Sequence, residues 1–198
     1  MSLLALLACA DHAPTCQPQV LEASGEHVTL ESTCGSWTAT GSVLGEGDLQ
    51  LEFVLEGSTI TPVVSGSGTL EALLLEGPVG LDGAQTPALW KQGYQSWWWS
   101  GVTELSPVQF EGDLPLVGGD GDGLSALDET PWSSWWVGLL GRQDGASLLV
   151  GALSAATTKW TVSFQEDHAY VVWGGRGERL PVQGSLSLDP FTAALDLD

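Results

Sequence analysis

The sequence predicts an all-β protein, an antiparallel sandwich of roughly ten to fourteen strands. Three observations carry that expectation. Apolar residues alternate with polar ones in short runs, and breaks containing glycine separate the runs, with 26 glycines in 198 residues. No segment keeps an amphipathic helical period beyond a couple of turns. The strand–helix rhythm of a parallel sheet is also missing. A chain of 198 residues suits one large domain with a real core, and it is too short for a complete (β/α)8 barrel with anything beside it.

Taken in order, residues 1–9 read as a leader, 10–17 as a short tether, and 18–198 as the sandwich domain. Val28 and Leu30 alternate with Thr29 and Glu31, and Ser36-Trp37-Thr38-Ala39-Thr40 is β-like in composition. From Asp48 to Glu56 the alternation is clean. Leu49, Leu51, Phe53 and Leu55 face one way while Gln50, Glu52 and Glu56 face the other, as in a half-buried strand. Further runs are expected at 58–65, 67–76, 146–154, 157–164, 168–173 and 182–188. The breaks fall at Gly57, Gly66-Ser67-Gly68, Gly77-Pro78, Gly145 and Gly174-Gly175, and Gly174-Gly175-Arg176-Gly177 reads as a hairpin loop. Residues 77–133 read as irregular, rich in Gly, Pro and Asp, and hold five of the ten tryptophans. Long loops on a rigid sandwich are where binding and catalysis are usually placed.

The charge balance narrows the partners. Five basic residues face 25 acidic ones, for a formal net charge of -20, and the first basic residue is Lys91. Phosphate backbones repel such a chain, so no nucleic acid partner is expected. An anionic membrane surface is equally poorly matched.

The N-terminus carries Leu6-Leu7-Ala8-Cys9, which resembles a bacterial lipobox. The resemblance implies lipidation at Cys9 and a lipid-anchored or secreted protein of the bacterial cell envelope. The basic residues of a signal segment are missing, and the competing reading is a chance apolar N-terminus in a cytosolic protein. Of the three cysteines, removing Cys9 leaves Cys16 and Cys34. A bridge between them would stabilise the fold by about 3 kcal/mol and requires an oxidising compartment; two buried thiols are the alternative. No apolar stretch reaches the roughly 18 residues of a membrane span.

Trp90-Lys91-Gln92-Gly93-Tyr94-Gln95-Ser96-Trp97-Trp98-Trp99-Ser100-Gly101 is the most informative segment. In an extended conformation Trp97 and Trp99 point one way and Trp98 the other. Aromatic faces stack on the C–H faces of sugars, while Gln and Ser hydrogen-bond hydroxyls, so the segment suits a carbohydrate site. The same rings also suit a core, or anchors at a protein interface.

Gly93-Tyr94-Gln95-Ser96-Trp97-Trp98-Trp99-Ser100-Gly101 resembles the Asn-Gly-(Trp/Tyr)-Gln-Ser-Trp-Ser-x-x-Gly signature of glycoside hydrolase family 36, the α-galactosidases or melibiases. In that family the signature lies in the N-terminal β-supersandwich domain. The later segments Ser133–Leu140, Ser147–Ser154 and Gly177–Leu188 are similar to that domain's closing strands, over about residues 45–190 in all. Lys91-Gln92 and Trp98 depart from the signature, which implies a distant member.

The resemblance implies a non-catalytic supersandwich presenting aromatic loops to an α-galactoside-like carbohydrate. It would wall an active site completed by a barrel expected in the same polypeptide. Tyr94, Gln95, Ser96 and Trp97 match the signature; Trp97 is the first candidate for sugar stacking and Trp99 the second. The family's catalytic aspartates match no position here, so turnover is not expected from this chain alone. The alternatives are a free-standing carbohydrate-binding module and an interaction protein that has lost the sugar site.

No cofactor or metal site is expected. Gly118-Gly119-Asp120-Gly121-Asp122-Gly123 alternates Asp and Gly but lacks the spacing of a calcium loop and reads as a solvated acidic turn. His12, His27 and His168 are scattered, and no nucleophile elbow or phosphate loop is present. With 25 acids, a close carboxylate pair has no diagnostic value for glycoside hydrolysis.

Overall fold

The computed structural model describes residues 19–81, 88–91, 101–104, 133–135, 137–141, 146–165, 168–174 and 178–197. Among them are thirteen strands and no helix. In chain order these are β1 (Val20–Ser24), β2 (His27–Ser32), β3 (Gly35–Glu56), β4 (Thr59–Leu81), β5 (Ala88–Lys91), β6 (Gly101–Glu104), β7 (Ser133–Trp135), β8 (Val137–Gly141), β9 (Ala146–Ala152), β10 (Trp160–Gln165), β11 (His168–Gly174), β12 (Leu180–Ser187) and β13 (Phe191–Leu197). Every described pairing is antiparallel, as the alternation of apolar and polar residues requires of a sheet with one wet face.

β3 and β4 organise the molecule. They span 22 and 23 residues and form one long hairpin around Gly57. Along its free side β4 meets three partners in succession: β13 at Ile60, β12 from Val63 to Leu70, and β11 from Ala72 to Pro78. The early half of β4 therefore belongs to a layer ordered β3-β4-β13-β9-β8-β5-β6, and its late half to a layer ordered β1-β2-β3-β4-β11-β10-β7.

β3 folds back over itself to join both layers. A Cβ added at Gly41 would lie 2.5 Å from Leu51 Cδ2 and 2.6 Å from Phe53 Cε2, so any side chain there forces Leu51 and Phe53 to shift. The β1–β2 turn ties the two halves together. Its Gly25 carbonyl accepts from Phe53 N at 2.8 Å, and its Glu26 carbonyl accepts from Gly41 N. The register of β3 on β4 shifts between Leu44 and Gly45, and Gly66 has φ of 122°. Bulges and left-handed glycines bend a strand without ending it.

The core lies between the layers. Phe53, Phe191, Trp173 and Trp160 form a run of edge-on aromatic contacts, at centroid separations of 6.5, 5.3 and 6.3 Å. Around it pack Trp37, Leu73, Leu75, Leu148, Val150 and Phe164, all essentially inaccessible to solvent. The alternation read at Asp48–Glu56 holds: Phe53 is buried, Leu49, Leu51 and Leu55 are half-buried, and Gln50, Glu52 and Glu56 are exposed.

Several expectations are corrected. Gly66-Ser67-Gly68 and Gly77-Pro78 do not separate strands but lie inside β4, because the ladder to β3 continues through the bend. Residues 157–159 are not strand, since their backbone is drawn off to a side chain described below. Residues 175–177 of the expected Gly174–Gly177 hairpin loop lie outside the described residues, and among the described pairings β11 and β12 pair with successive stretches of β4 rather than with each other. The region 77–133, read as irregular, holds the end of β4 together with β5 and β6.

Candidate ligand rim

One edge of the sandwich carries two of the chain's crossings between layers, from β7 to β8 and from β9 to β10. In one layer Phe191 pairs with Ala152, Gly151 with Val137, Gly138 with Lys91, and Lys91 with Gly101. These residues are the rim-side ends of β13, β9, β8, β5 and β6. In the other layer Trp135 pairs with Thr161, and Trp160 with Trp173. The loop Leu153–Lys159 crosses from β9 to β10 here, and residue 136 alone separates β7 from β8.

Residues 92–100 connect β5 to β6 across the paired ends Lys91 and Gly101. Tyr94, Gln95, Ser96, Trp97 and Trp99 belong to this connection and lie outside the described residues. The described structure fixes where the connection starts and finishes: both roots are on this rim.

The described part of the rim is built around Asp189, in the turn between β12 and β13. It is 2% exposed. Its Oδ1 accepts from Ser154 Oγ and from Ala156 N at 2.7 Å, and its Oδ2 accepts from Thr157 N at 2.8 Å and Thr158 N at 2.9 Å. Its backbone carbonyl accepts from Trp173 Nε1 at 2.9 Å, which joins the turn to the aromatic core. Leu153 N donates to the Pro190 carbonyl at 2.8 Å, so the loop is held at its first residue as well.

Burial alone pushes the Asp189 carboxyl up. The hydrogen bonds from Ser154, Thr158, Ala156 and Thr157 outweigh burial and hold it below its ordinary value. The group is therefore an ionised carboxylate at neutral pH, with no capacity to donate a proton to a substrate. Its chemistry is to accept hydrogen bonds and fix backbone. The loop it fixes turns Ala156, Thr157 and Lys159 outward, and Thr158 inward. Thr158 Oγ1 and Trp160 Nε1, at the loop's exit, are buried without a hydrogen-bond partner.

Asp189 escaped the sequence reading. Its partners lie 31 to 35 residues upstream, and the local signal is only an acidic residue before Pro190 at the start of an apolar strand. Arg179, beside β12, pairs with Glu46 at 3.0 Å and Glu71 at 3.1 Å on the solvent side. Such exposed pairs stabilise little. Among the described residues no group of His, Cys, Asp and Glu is arranged to hold a metal ion. The Gly118–Gly123 stretch and His12 lie outside them.

Cys34 is buried and disulfide-bonded. Cys9 and Cys16 both lie outside the described residues. Gln19 fastens the start of the domain. Its carboxamide donates to the Leu195 carbonyl and accepts from Leu195 N at 3.1 Å, standing in for a strand on the edge of β13.

Comparison with known proteins gives a distant likeness. No protein family's sequence profile matches the chain, and no curated protein matches it. Among solved structures, it is similar to an α-galactosidase from Thermus thermophilus in complex with stachyose, at 16% identity and a TM-score of 0.37. The match covers 91% of this chain and 30% of that one. The same enzyme in complex with p-nitrophenyl α-D-galactopyranoside gives 16% identity and a TM-score of 0.38, over 91% of this chain and 29% of that one. The chain thus spans under a third of that enzyme's length.

Proposed function

We propose that this chain is a non-catalytic β-sandwich that offers an aromatic rim to an α-galactoside-like carbohydrate. It walls an active site whose barrel is supplied by further sequence. One observation carries the reading: the pairing of Lys91 with Gly101 closes the Gly93–Gly101 signature into a connection rooted at the rim, next to the loop fixed by Asp189. Trp97 is the stacking residue, Trp99 its second, and Tyr94, Gln95 and Ser96 supply hydroxyl and amide contacts. The leader at residues 1–9, the tether at 10–17, lipidation at Cys9 and residence in the bacterial cell envelope belong to the same proposal. The disulfide at Cys34 supports an oxidising compartment. Cys16 is the partner proposed for it.

Stachyose and p-nitrophenyl α-galactoside are suitable probes. The expected result is saturable quenching or enhancement of tryptophan fluorescence by stachyose, with no release of nitrophenol from the aryl glycoside. Turnover abolished by an Asp→Asn change within this chain would overturn the non-catalytic assignment. A flat stachyose titration would overturn the carbohydrate assignment.

A further inference from the structure

We propose that the outward face of β13, β9 and β8 docks an amphipathic helix of a partner protein, a helix apolar along one side and bordered by lysine or arginine. The inference stands apart from the carbohydrate reading and concerns the side of this layer that faces away from the core.

An antiparallel sheet with one wet face alternates apolar and polar residues, whereas strands covered on both faces read as continuous apolar runs. β3 follows the first pattern, with exposed Gln50, Glu52 and Glu56 alternating with inward Leu51, Phe53 and Leu55. β8 and β9 follow the second. β8 reads Val-Gly-Leu-Leu-Gly, without a polar residue, and β9 contains one, Ser147. Leu140, Leu148, Val150, Ala193 and Leu195 fill the inward side of these strands and are buried. On the outward side Ala194, Leu149 and Leu139 stand opposite one another across three strands, all half-buried. The hydroxyl of Thr192, on the same side of β13, donates to the Ser58 carbonyl at 2.8 Å and is taken up within the chain.

Charge and size indicate what covers this face. Phe191 pairs with Ile60, and Ile60 with Leu55, so the inward side runs unbroken from β13 to β3. The outward side therefore continues onto Glu52, Val54 and Glu56, where Val54 is 38% exposed between the two carboxylates. None of β3, β4, β13, β9 and β8 contains a lysine or arginine. A second copy would bring like charge against like, in a chain of net charge -20. A cationic border on the partner matches instead. The three strands span about 10 Å and their paired stretch about 15 Å. That is the footprint of one helix, which with side chains is about 10–12 Å across. A stable interface between two sandwiches needs about 800 Å² from each, several times more.

The probe is a synthetic leucine–lysine peptide with leucine at helical spacing, titrated into the full chain and followed by fluorescence anisotropy. A scrambled peptide of the same composition is the control for charge alone. The salt is set at about 0.15 M, where the Debye length is about 8 Å. The wild type should bind the amphipathic peptide at least tenfold more tightly than the scrambled one. Leu139→Thr/Leu149→Thr, which keeps strand-favouring residues, should remove that difference with near-ultraviolet circular dichroism unchanged. Glu52→Gln/Glu56→Gln leaves the apolar residues in place and should weaken binding about threefold; it decides the matter alongside the scrambled peptide if the leucine variant does not fold. Equal binding of the two peptides by the wild type would overturn the docking face, as would undiminished preference in the leucine variant. Unaltered affinity in the glutamine variant would overturn the cationic border. A dimer in sedimentation equilibrium that the leucine variant abolishes would assign the face to a second copy and overturn the helix as its occupant.

Discussion

The indole Nε1 of Trp173 donates to the backbone carbonyl of Asp189 at 2.9 Å, while the carboxylate of the same aspartate holds the loop between β9 and β10. One residue thus couples the packed centre of the sandwich to its rim. Replacing Asp189 with alanine strands three backbone amides and a hydroxyl without their acceptor. Each stranded donor costs about 1–3 kcal/mol, less what water recovers. The expected loss is about 3–5 kcal/mol in urea unfolding. A loss within experimental error of zero would show that the loop is not held from Asp189.

The same group sets a pH dependence. Its carboxyl is held below its ordinary value in the folded chain. Folding is therefore stabilised by the ionised form, fully so above the unfolded-state pKa of about 3.9. That stabilisation is lost as pH falls through the lower folded value. The Tm difference between wild type and Asp189→Asn should be constant from neutral pH to about 5 and shrink below about 4. A difference that widens in acid would contradict the assignment.

The fold-back of β3 depends on the missing side chain at Gly41. Alanine there would press on the Leu51 and Phe53 side chains from 2.5 and 2.6 Å. Overpacking of this kind costs about 1–3 kcal/mol. The companion change Phe53→Leu should recover part of the loss, and a double-mutant cycle measures the coupling. Purely additive effects would mean that the two positions do not meet.

Phe191 joins Phe53 to Trp173 across the layers. Truncation to alanine leaves a cavity at the centre of the aromatic run, with an expected loss of about 3–5 kcal/mol. Guanidinium unfolding monitored by near-ultraviolet circular dichroism checks both the loss and the aromatic signal.

The disulfide at Cys34 gives a redox prediction. Reduction should lower stability by about 2–4 kcal/mol. With Cys16 as the partner, Cys16→Ser reproduces that loss without reductant and Cys9→Ser does not. The reverse pattern would move the bridge to Cys9 and remove it as a lipidation site.

Much of the architecture was legible because alternation is a local property. Phe53 and its neighbours, and Trp37 between outward-facing Ser36 and Thr38, can be placed on their faces from sequence alone. The length of β3 and β4 was not. A glycine cluster such as Gly66-Ser67-Gly68 reads locally as a break. It proves to be a bend because Gly66 lies opposite Leu49 on one side and Gly184 on the other. Those partners are remote in sequence, so nothing near Gly66 announces them. Asp189 was hidden for the same reason. Three tryptophans, Trp37, Trp160 and Trp173, are core, which accounts physically for part of the unusual tryptophan content. The aromatic signature was legible as a motif, and the structure contributes its roots at Lys91 and Gly101.

The central claim is that this rim stacks a sugar on Trp97. Its most direct test is a stachyose titration of wild type and Trp97→Ala, each with its urea unfolding curve. The account predicts a saturable fluorescence change in the wild type that Trp97→Ala abolishes while unfolding stays within about 1 kcal/mol, as for an exposed ring. A loss of stability of about 3 kcal/mol or more in Trp97→Ala, with no response to stachyose in the wild type, would mark Trp97 as a core residue and contradict the account.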